Sequence, residues 1–583
     1  MKSGKVVVLV LLATVGAVVM LSSDAEYCMG TLNKFESYGE LKEFLQNREY
    51  GSERFPYLPG SEFYGSMELD AMSAYDFSGT NVQVEGVDEA DIVKTDGEFI
   101  YVISGQKVVI VKAYPAEAAA VLSRIAVNGT LKQIFINEER LVLFYENGSW
   151  EETKTFVQAY DTADRGNPRL RRKLAVDGCY FSSRMIGDYV YVVVRKTACL
   201  VEDEVDLPRV YPEDECRVIP AAEIYHSDIA DYRYIFTVIA AVNLQEDEQE
   251  PTYETILSGW TTSMYVSLRN IYLAIGYGDR TFLHRIHIED GEISYVADGE
   301  VIGTVLNQFS MDEYEGYFRI ATTSRISHES NPSLRLPLQN NMYVLNMELE
   351  IVGELERIAP GETIHSARFM GDKCYLVTFR KTDPFFVIEL GEPYDPKILG
   401  ELKISGYSDY LHLYDENHVI GVGKETVPAE QGDFSWYQGV KISLFDVTDL
   451  SEPKEIAKHE IGDRGTDSLV LREHKAFLFD KEKNLLVLPV SVAERENPND
   501  PPYMPGKIVW QGAYVFTVSL SLEEKLELKG TITHIENGDV HDAEYHVTRA
   551  LYIEEVLYTI SNTKIKMNSL FDLSEINELD INE

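Results

Sequence analysis

The chain of 583 residues carries 96 acidic against 53 basic side chains, a formal net charge of −43 at neutral pH. That balance excludes nucleic acid as a partner, because phosphate binding needs a basic footprint, and leaves cations and basic surfaces open. Length alone suggests three or four domains unless a repeat builds one large one; five cysteines are too few for a disulfide framework, so core burial must hold the fold.

Lys2 and Lys5 precede an uncharged run from Val6 to Ser23, the charged start and apolar centre of an export signal. Ser23-Asp24-Ala25 is a small-x-small cleavage site. The run also approaches the ~20 residues of a spanning helix, so residues 1–25 fit both a signal peptide and a retained N-terminal membrane anchor. The expected location is extracellular or on the cell surface, with membrane contact only through this segment. Within residues 26–75, Phe35, Leu41, Phe44 and Leu45 fall at helical spacing, which predicts a short amphipathic helix over Phe35 to Gln46. A linker without a period follows, from about Asn47 to Tyr75.

From Phe99 onward, short runs rich in Val, Ile, Leu, Phe and Tyr alternate with Gly, Pro, Asn and Asp clusters, an all-β pattern. Phe156 to Val176, Phe386 to Ile404 and Ile442 to Ile461 each read as strand, turn ending in proline, strand. Taking that turn as the handover from the outer strand of one unit to the inner strand of the next, outer strands fall near Val108, Phe156, Tyr234, Phe282, Met342, Phe385, Lys441, Tyr514 and Lys564. The pattern predicts a single closed β-propeller of eight or nine four-stranded blades over residues 76–583. On this scheme the first blade lacks its inner strand, and Ile576 to Ile581 would supply it.

The stretch from Thr80 to Gly97 packs five carboxylates ahead of a clean strand, Phe99 to Ser104. It resembles the opening of a family of secreted archaeal and bacterial β-propellers distantly related to WD-repeat proteins. Further blocks carry the likeness from about Asp76 to the C-terminus: Glu362-Thr-Ile-His-Ser-Ala-Arg-Phe369, Gly406-Tyr-Ser-Asp-Tyr-Leu-His-Leu-Tyr-Asp-Glu-Asn417, Ile461-Gly-Asp-Arg-Gly465 and His474-Lys-Ala-Phe-Leu-Phe-Asp-Lys-Glu-Lys-Asn484. The resemblance implies a fold and no established activity.

Long insertions run from Glu146 to Lys154, Thr197 to Asp231, Ser324 to Asn341, Glu425 to Gly439 and Ala493 to Gln511. All fall at the same point of the repeat and so decorate one face, where repeat proteins often bind. The same face is expected to gather Asp88, Glu89 and Asp91, then His365 and Ser366, Asp409, Asp463 and Arg464, and the loop carrying Asp539, His541 and Asp542. Asp88, Glu89 and Asp91 are the candidate metal ligands, with Ca²⁺ the favoured cation and Arg464 the alternative partner. His541 and His546 with His365 and His534 would suit zinc or copper. Cys199 and Cys216 share one polar insertion and are expected to pair, a link worth ~3 kcal/mol in the chain-entropy model. Trp150, Trp436 and Trp510 lie in or beside insertions and read as contacts for a glycan or protein, or as loop anchors. No Gly-x-Ser-x-Gly elbow occurs. The expected function is an exported cell-envelope binding scaffold whose partner is a protein or glycan; the alternative is a tunnel-mouth hydrolase or lyase acting on an envelope polymer.

Overall fold

The computed structural model describes residues 33–48 and 76–582, apart from short stretches at 150–151, 227–233, 326, 329–330, 336, 381–382, 430–433, 498 and 537. The signal or anchor over residues 1–25 and most of the linker lie outside the described residues. Among the described residues no helix is long and apolar enough to cross a membrane.

Among the described residues the molecule is a β-propeller of nine consecutive sheets, each built on four antiparallel strands. Blade 1 consists of Val93–Thr95, Phe99–Ser104, Lys107–Lys112 and Ala120–Ala126. Blades 2 to 8 follow over residues 130–177, 179–258, 263–302, 304–358, 363–404, 407–461 and 467–532. Blade 9 ends the ring with Arg549–Ile553, Val556–Ile560, Lys564–Ser569 and Glu575–Asp580. In each blade the first strand is innermost; the fourth alternates exposed and buried positions, as in Ala120–Ala126 and Lys397–Ile404. A buried apolar cluster seals every junction between neighbouring blades, including that of blade 9 with blade 1, where Ile100, Val102 and Val111 meet Ile553, Tyr558 and Met567.

Two expectations need correction. The strand–proline turn–strand segments are hairpins inside one blade: Lys154–Asp161 pairs with Arg169–Asp177, and Ser435–Asp446 with Lys454–Ile461. The blade boundary therefore lies one strand later than the proline turns suggest. It follows that blade 1 is complete from its own residues, and Glu575–Asp580 is the outer strand of blade 9. The C-terminus does not close the ring by strand exchange. The insertions accordingly join the second and third strands of their blades and share a face with the connections between blades, so the shift renames the loops without moving them to the other side.

The single α-helix among the described residues, Tyr38–Arg48, buries Leu41 and Leu45 with Phe35 against Ala221, Ile224 and Tyr234. This is the predicted helix, seated on the insertion of blade 3. That insertion adds Arg209–Pro212 and Arg217–Val218 to the outer edge of blade 2 and Ile224–His226 to that of blade 3, covering edges that would otherwise invite pairing. Cys199 and Cys216, the pair expected to be oxidised, are both exposed; Cys199 precedes the small hairpin Leu200–Val201 to Glu204–Val205, and Cys216 sits in the turn of a different hairpin.

Candidate functional site

The segment over residues 77–92 passes through the central channel as a strap. It begins on blade 9, where Phe77 bridges Ile553 and Ser78 exchanges hydrogen bonds with Tyr552. Asn81 Nδ2 then donates to the carbonyls of His474 and Phe477 in blade 8, both at 3.0 Å. Gln83 Nε2 donates to the carbonyls of Gln308 and Met311 in blade 5 at 3.1 and 3.2 Å. The inner strands of blades 5 and 8 are interrupted by 3₁₀ turns at Gln308–Ser310 and His474–Ala476, whose Gln308 and His474 carbonyls accept the turn amides of Met311 and Phe477 and offer the strap a second lone pair. The strap turns at Gly86, whose φ of +83° is a left-handed conformation that glycine adopts without strain. It then pairs Asp88–Glu89 with Met185 and Arg184 of blade 3 and bridges Asp91 to Ile134 of blade 2.

Asp88, Glu89 and Asp91 therefore lie inside the channel and not on the insertion-bearing face, and they diverge to three different cations. Asp88 accepts from Lys94 at 2.7 Å. Asp91 takes a forked pair of bonds from Arg549 Nε and Nη2 at 2.9 and 2.8 Å. Glu89 lies 3.5 Å from Arg184 and accepts from Gln308 Nε2 at 3.2 Å. The carboxylate convergence that a Ca²⁺ site needs is replaced by ion pairing, and by Arg549 and Arg184 instead of the expected Arg464. Burial pushes the Glu89 carboxyl up, opposed by Arg184 and Lys475. Asp91 is held below the usual carboxylate range: burial opposes ionisation, and Arg549 and Lys475 outweigh it. Next to them, burial drives His474 well below the ordinary histidine range; its Nε2 stands 3.9 Å from Glu89 Oε2.

Beside the strap, a cavity of about 850 Å³ is lined by Asp88, Asp91, Lys94, Asp96, Lys475 and Arg549 together with apolar walls such as Phe77 and Phe479. Its rim includes Glu138 and Lys481, from turns between the first and second strands, so it opens on the face opposite the insertions.

On the insertion-bearing face, His365 and Asp409 do meet, at 3.1 Å across blades 6 and 7, with Phe379 and Tyr407 against the imidazole. Two of the other histidines are occupied separately. His534 is buried and bonds Thr559 and Ser561, and His546 bonds the carbonyl of Val540. The zinc or copper grouping is not assembled. Asp539 and Asp542 hold turn amides of their own loop, those of His541 and Glu544.

Asp463 and Arg464 lead to a cluster that sequence spacing did not reveal. Arg464 lies over Tyr437 and Trp436, at 4.4 and 5.1 Å to the ring centroids. Trp436 packs edge-on against Phe434 at 4.9 Å and against Tyr503 at 6.0 Å. These rings come from the insertion Glu425 to Gly439 of blade 7, with Trp436 and Tyr437 at the start of the strand Ser435–Asp446, and from the insertion Ala493 to Gln511 of blade 8, the two laced by Gln438 donating to the Pro502 carbonyl at 3.1 Å. The only advance signal was the Trp–Tyr dipeptide at 436–437 inside an insertion.

Comparison with known proteins follows the same outline. A family model described as a beta propeller domain matches residues 77–573, so the matched region begins with the strap. An uncharacterised protein of Methanocaldococcus jannaschii is 29% identical, with 87% of this chain and 82% of that protein covered. An uncharacterised protein of Archaeoglobus fulgidus is 27% identical, with 86% and 84% covered. Among solved structures, a hypothetical selenium-binding protein from Sulfolobus tokodaii is similar over 62% of this chain and 75% of its own, at 10% identity and a TM-score of 0.28, a value that carries no argument about function.

Proposed function

Since the chain belongs to the beta propeller domain family, we propose that it is an exported, non-catalytic binding scaffold presenting its insertion-bearing face to another component of the cell envelope. The observation that carries this reading is the division of labour between the two faces. The channel is occupied by the chain's own strap, and the aspartates around its cavity, Asp88, Asp91 and Asp96, each face a cation, Lys94, Arg549 and Arg165. A tunnel-mouth enzyme would need carboxylates able to take and give protons there. The insertions of blades 7 and 8, by contrast, leave Phe434, Tyr437 and Tyr503 exposed, where a partner can reach them.

Two measurements test the proposal. Protease treatment of intact cells should degrade the protein if it is surface-exposed; full protection until the cells are lysed would refute export to the surface. Purified protein should co-sediment with isolated envelopes, and replacing the blade 8 insertion over 496–505 with a short Gly-rich turn should weaken that retention. Retention unchanged by the replacement, together with hydrolysis of an envelope polymer lost on Asp88→Asn, would favour the enzyme instead.

A further inference from the structure

We infer that the rings carried by the blade 7 and blade 8 insertions form a saccharide-binding platform, and that its ligand is a neutral oligosaccharide. The inference deepens the scaffold proposal by naming a partner class, and it rests on that reading for the face concerned.

The platform begins with exposure that packing does not explain. Phe434 is 40% exposed, Tyr437 47%, Tyr503 54% and Met504 42%, and they lie in or beside two neighbouring insertions. Large apolar side chains left at the surface singly are ordinary, but a contiguous group of them marks a contact site. The group is also held in place in advance. Arg464 Nη1 donates to the Tyr437 carbonyl at 3.1 Å, the Gly506 amide donates to the Arg464 carbonyl at 2.7 Å, and Gln438 ties its own strand to Pro502. Arg495 locks Gln438 from the other side and donates its amide to Asp463 at 2.9 Å. Ring positions fixed by hydrogen bonds cost little ordering entropy when a ligand arrives.

The choice of occupant follows from charge. The cations around the rings are already engaged: Arg464 on two aromatic faces, Arg495 with Gln438 and Asp463, and Lys507 with Glu496. What remains to offer a ligand is the aromatic surface that Arg464 does not cover, on Tyr503, Phe434 and the other side of Tyr437, whose negative ring faces attract polarised C–H groups, bordered by amide and carbonyl groups. A neutral pyranose matches this, with a C–H face to stack and hydroxyl edges to hydrogen-bond.

The test uses the full chain titrated with cellohexaose, chitohexaose and mannohexaose, followed by saturation-transfer NMR and tryptophan fluorescence. Saturable binding to at least one hexasaccharide is expected, insensitive to added salt because no ion pair forms. Tyr437→Ala and Tyr503→Ala should each weaken it about tenfold or more, with the unfolding temperature unchanged. Trp436→Phe should retain binding while removing most of the fluorescence response. The inference is overturned if none of the three sugars binds at millimolar concentration, or if the double tyrosine variant binds as well as the parent. It is also overturned if sedimentation shows a dimer that Tyr503→Ala dissolves, since the rings would then be a self-contact. Envelope retention that persists in the double variant and in excess saccharide would leave the scaffold reading standing while removing this one.

Discussion

At the scale of single residues, the channel turns on Asp91 and Arg549. Both are almost fully buried, at 3% and 4% exposure, and the fork between them is the shortest route by which either charge is neutralised. Removing one partner costs the forked, charge-assisted bonds, about 1.5–3 kcal/mol, while Arg549 keeps Glu473 at 3.7 Å and both positions border the cavity. Asp91→Ala should therefore lower unfolding free energy by that amount in urea denaturation, while Asp91→Leu combined with Arg549→Leu should recover much of the loss. A double variant no more stable than the single one would show that the pair is not the source. Because Lys94, Arg184 and Arg549 already balance the three strap carboxylates, unfolding temperature should be the same in calcium and in chelator; a chelator-sensitive shift abolished by Asp88→Ala would restore the metal reading. Histidines set the pH response. Burial, reinforced by Lys566 and Lys564, lowers His534 to about 3, and burial with Arg368 nearby lowers His412 to about 3. A histidine lowered in the folded state takes up its proton mainly on unfolding, so its stability contribution is intact above about pH 6.5 and drains away as pH falls toward the folded value. Stability should decline from about pH 6.5 to pH 4, and His534→Gln should make that decline shallower.

Among elements, the strap is the one whose role the geometry defines most fully. It touches blades 9, 8, 5, 4, 3 and 2 before continuing into blade 1, so it ties across the ring at a point where other connections only join neighbours. Its hold depends on two side-chain amides that meet carbonyls of the 3₁₀-turn segments in blades 5 and 8. Asn81→Leu with Gln83→Leu removes these bonds, while the His474 and Gln308 carbonyls keep the turn amides of Phe477 and Met311, so the cost should be about 0.5–1.5 kcal/mol per bond lost, larger than for the same pair of changes on an exposed strand. At Gly86 a β-carbon would stand 2.7 Å from Leu268 Cδ2 in a left-handed conformation. Gly86→Ala should destabilise by about 1 kcal/mol or more, and Leu268→Ala in the same chain should relieve the clash but not the backbone strain.

For the molecule as a whole, the open question about a propeller with no shared strand is whether its last junction is as firm as the rest. The blade 9 to blade 1 cluster contains fully buried Ile553, just as the blade 4 to blade 5 cluster contains fully buried Ile320. Closure is also tied by Tyr558 donating to the Ala113 carbonyl at 2.9 Å and by Asn577 donating to the Ala116 carbonyl at 2.8 Å. Ile553→Ala and Ile320→Ala should each cost about 2–5 kcal/mol. A much smaller effect for Ile553, or a separate early transition in calorimetry, would reveal an open seam.

Sequence by itself determined the architecture here, because period-2 hydrophobic runs separated by turn residues encode half-buried strands locally and recur often enough to count. It also marked the helix around Leu41 and Leu45, and the insertions, since both are breaks in a regular pattern. It did not determine which proline turn lies within a blade and which between blades: a hairpin and a crossover present the same alternation, and only pairing, such as Lys154–Asp161 with Arg169–Asp177, distinguishes them. The site was decided by tertiary structure for the same kind of reason. Asp88, Glu89 and Asp91 stand close in sequence yet point to Lys94, Arg184 and Arg549, while Tyr437 and Tyr503 stand far apart and lie on one platform with Trp436 between them. Periodicity reports which side of a strand faces the core; which distant loops a closed ring brings side by side depends on long-range packing that no local pattern contains.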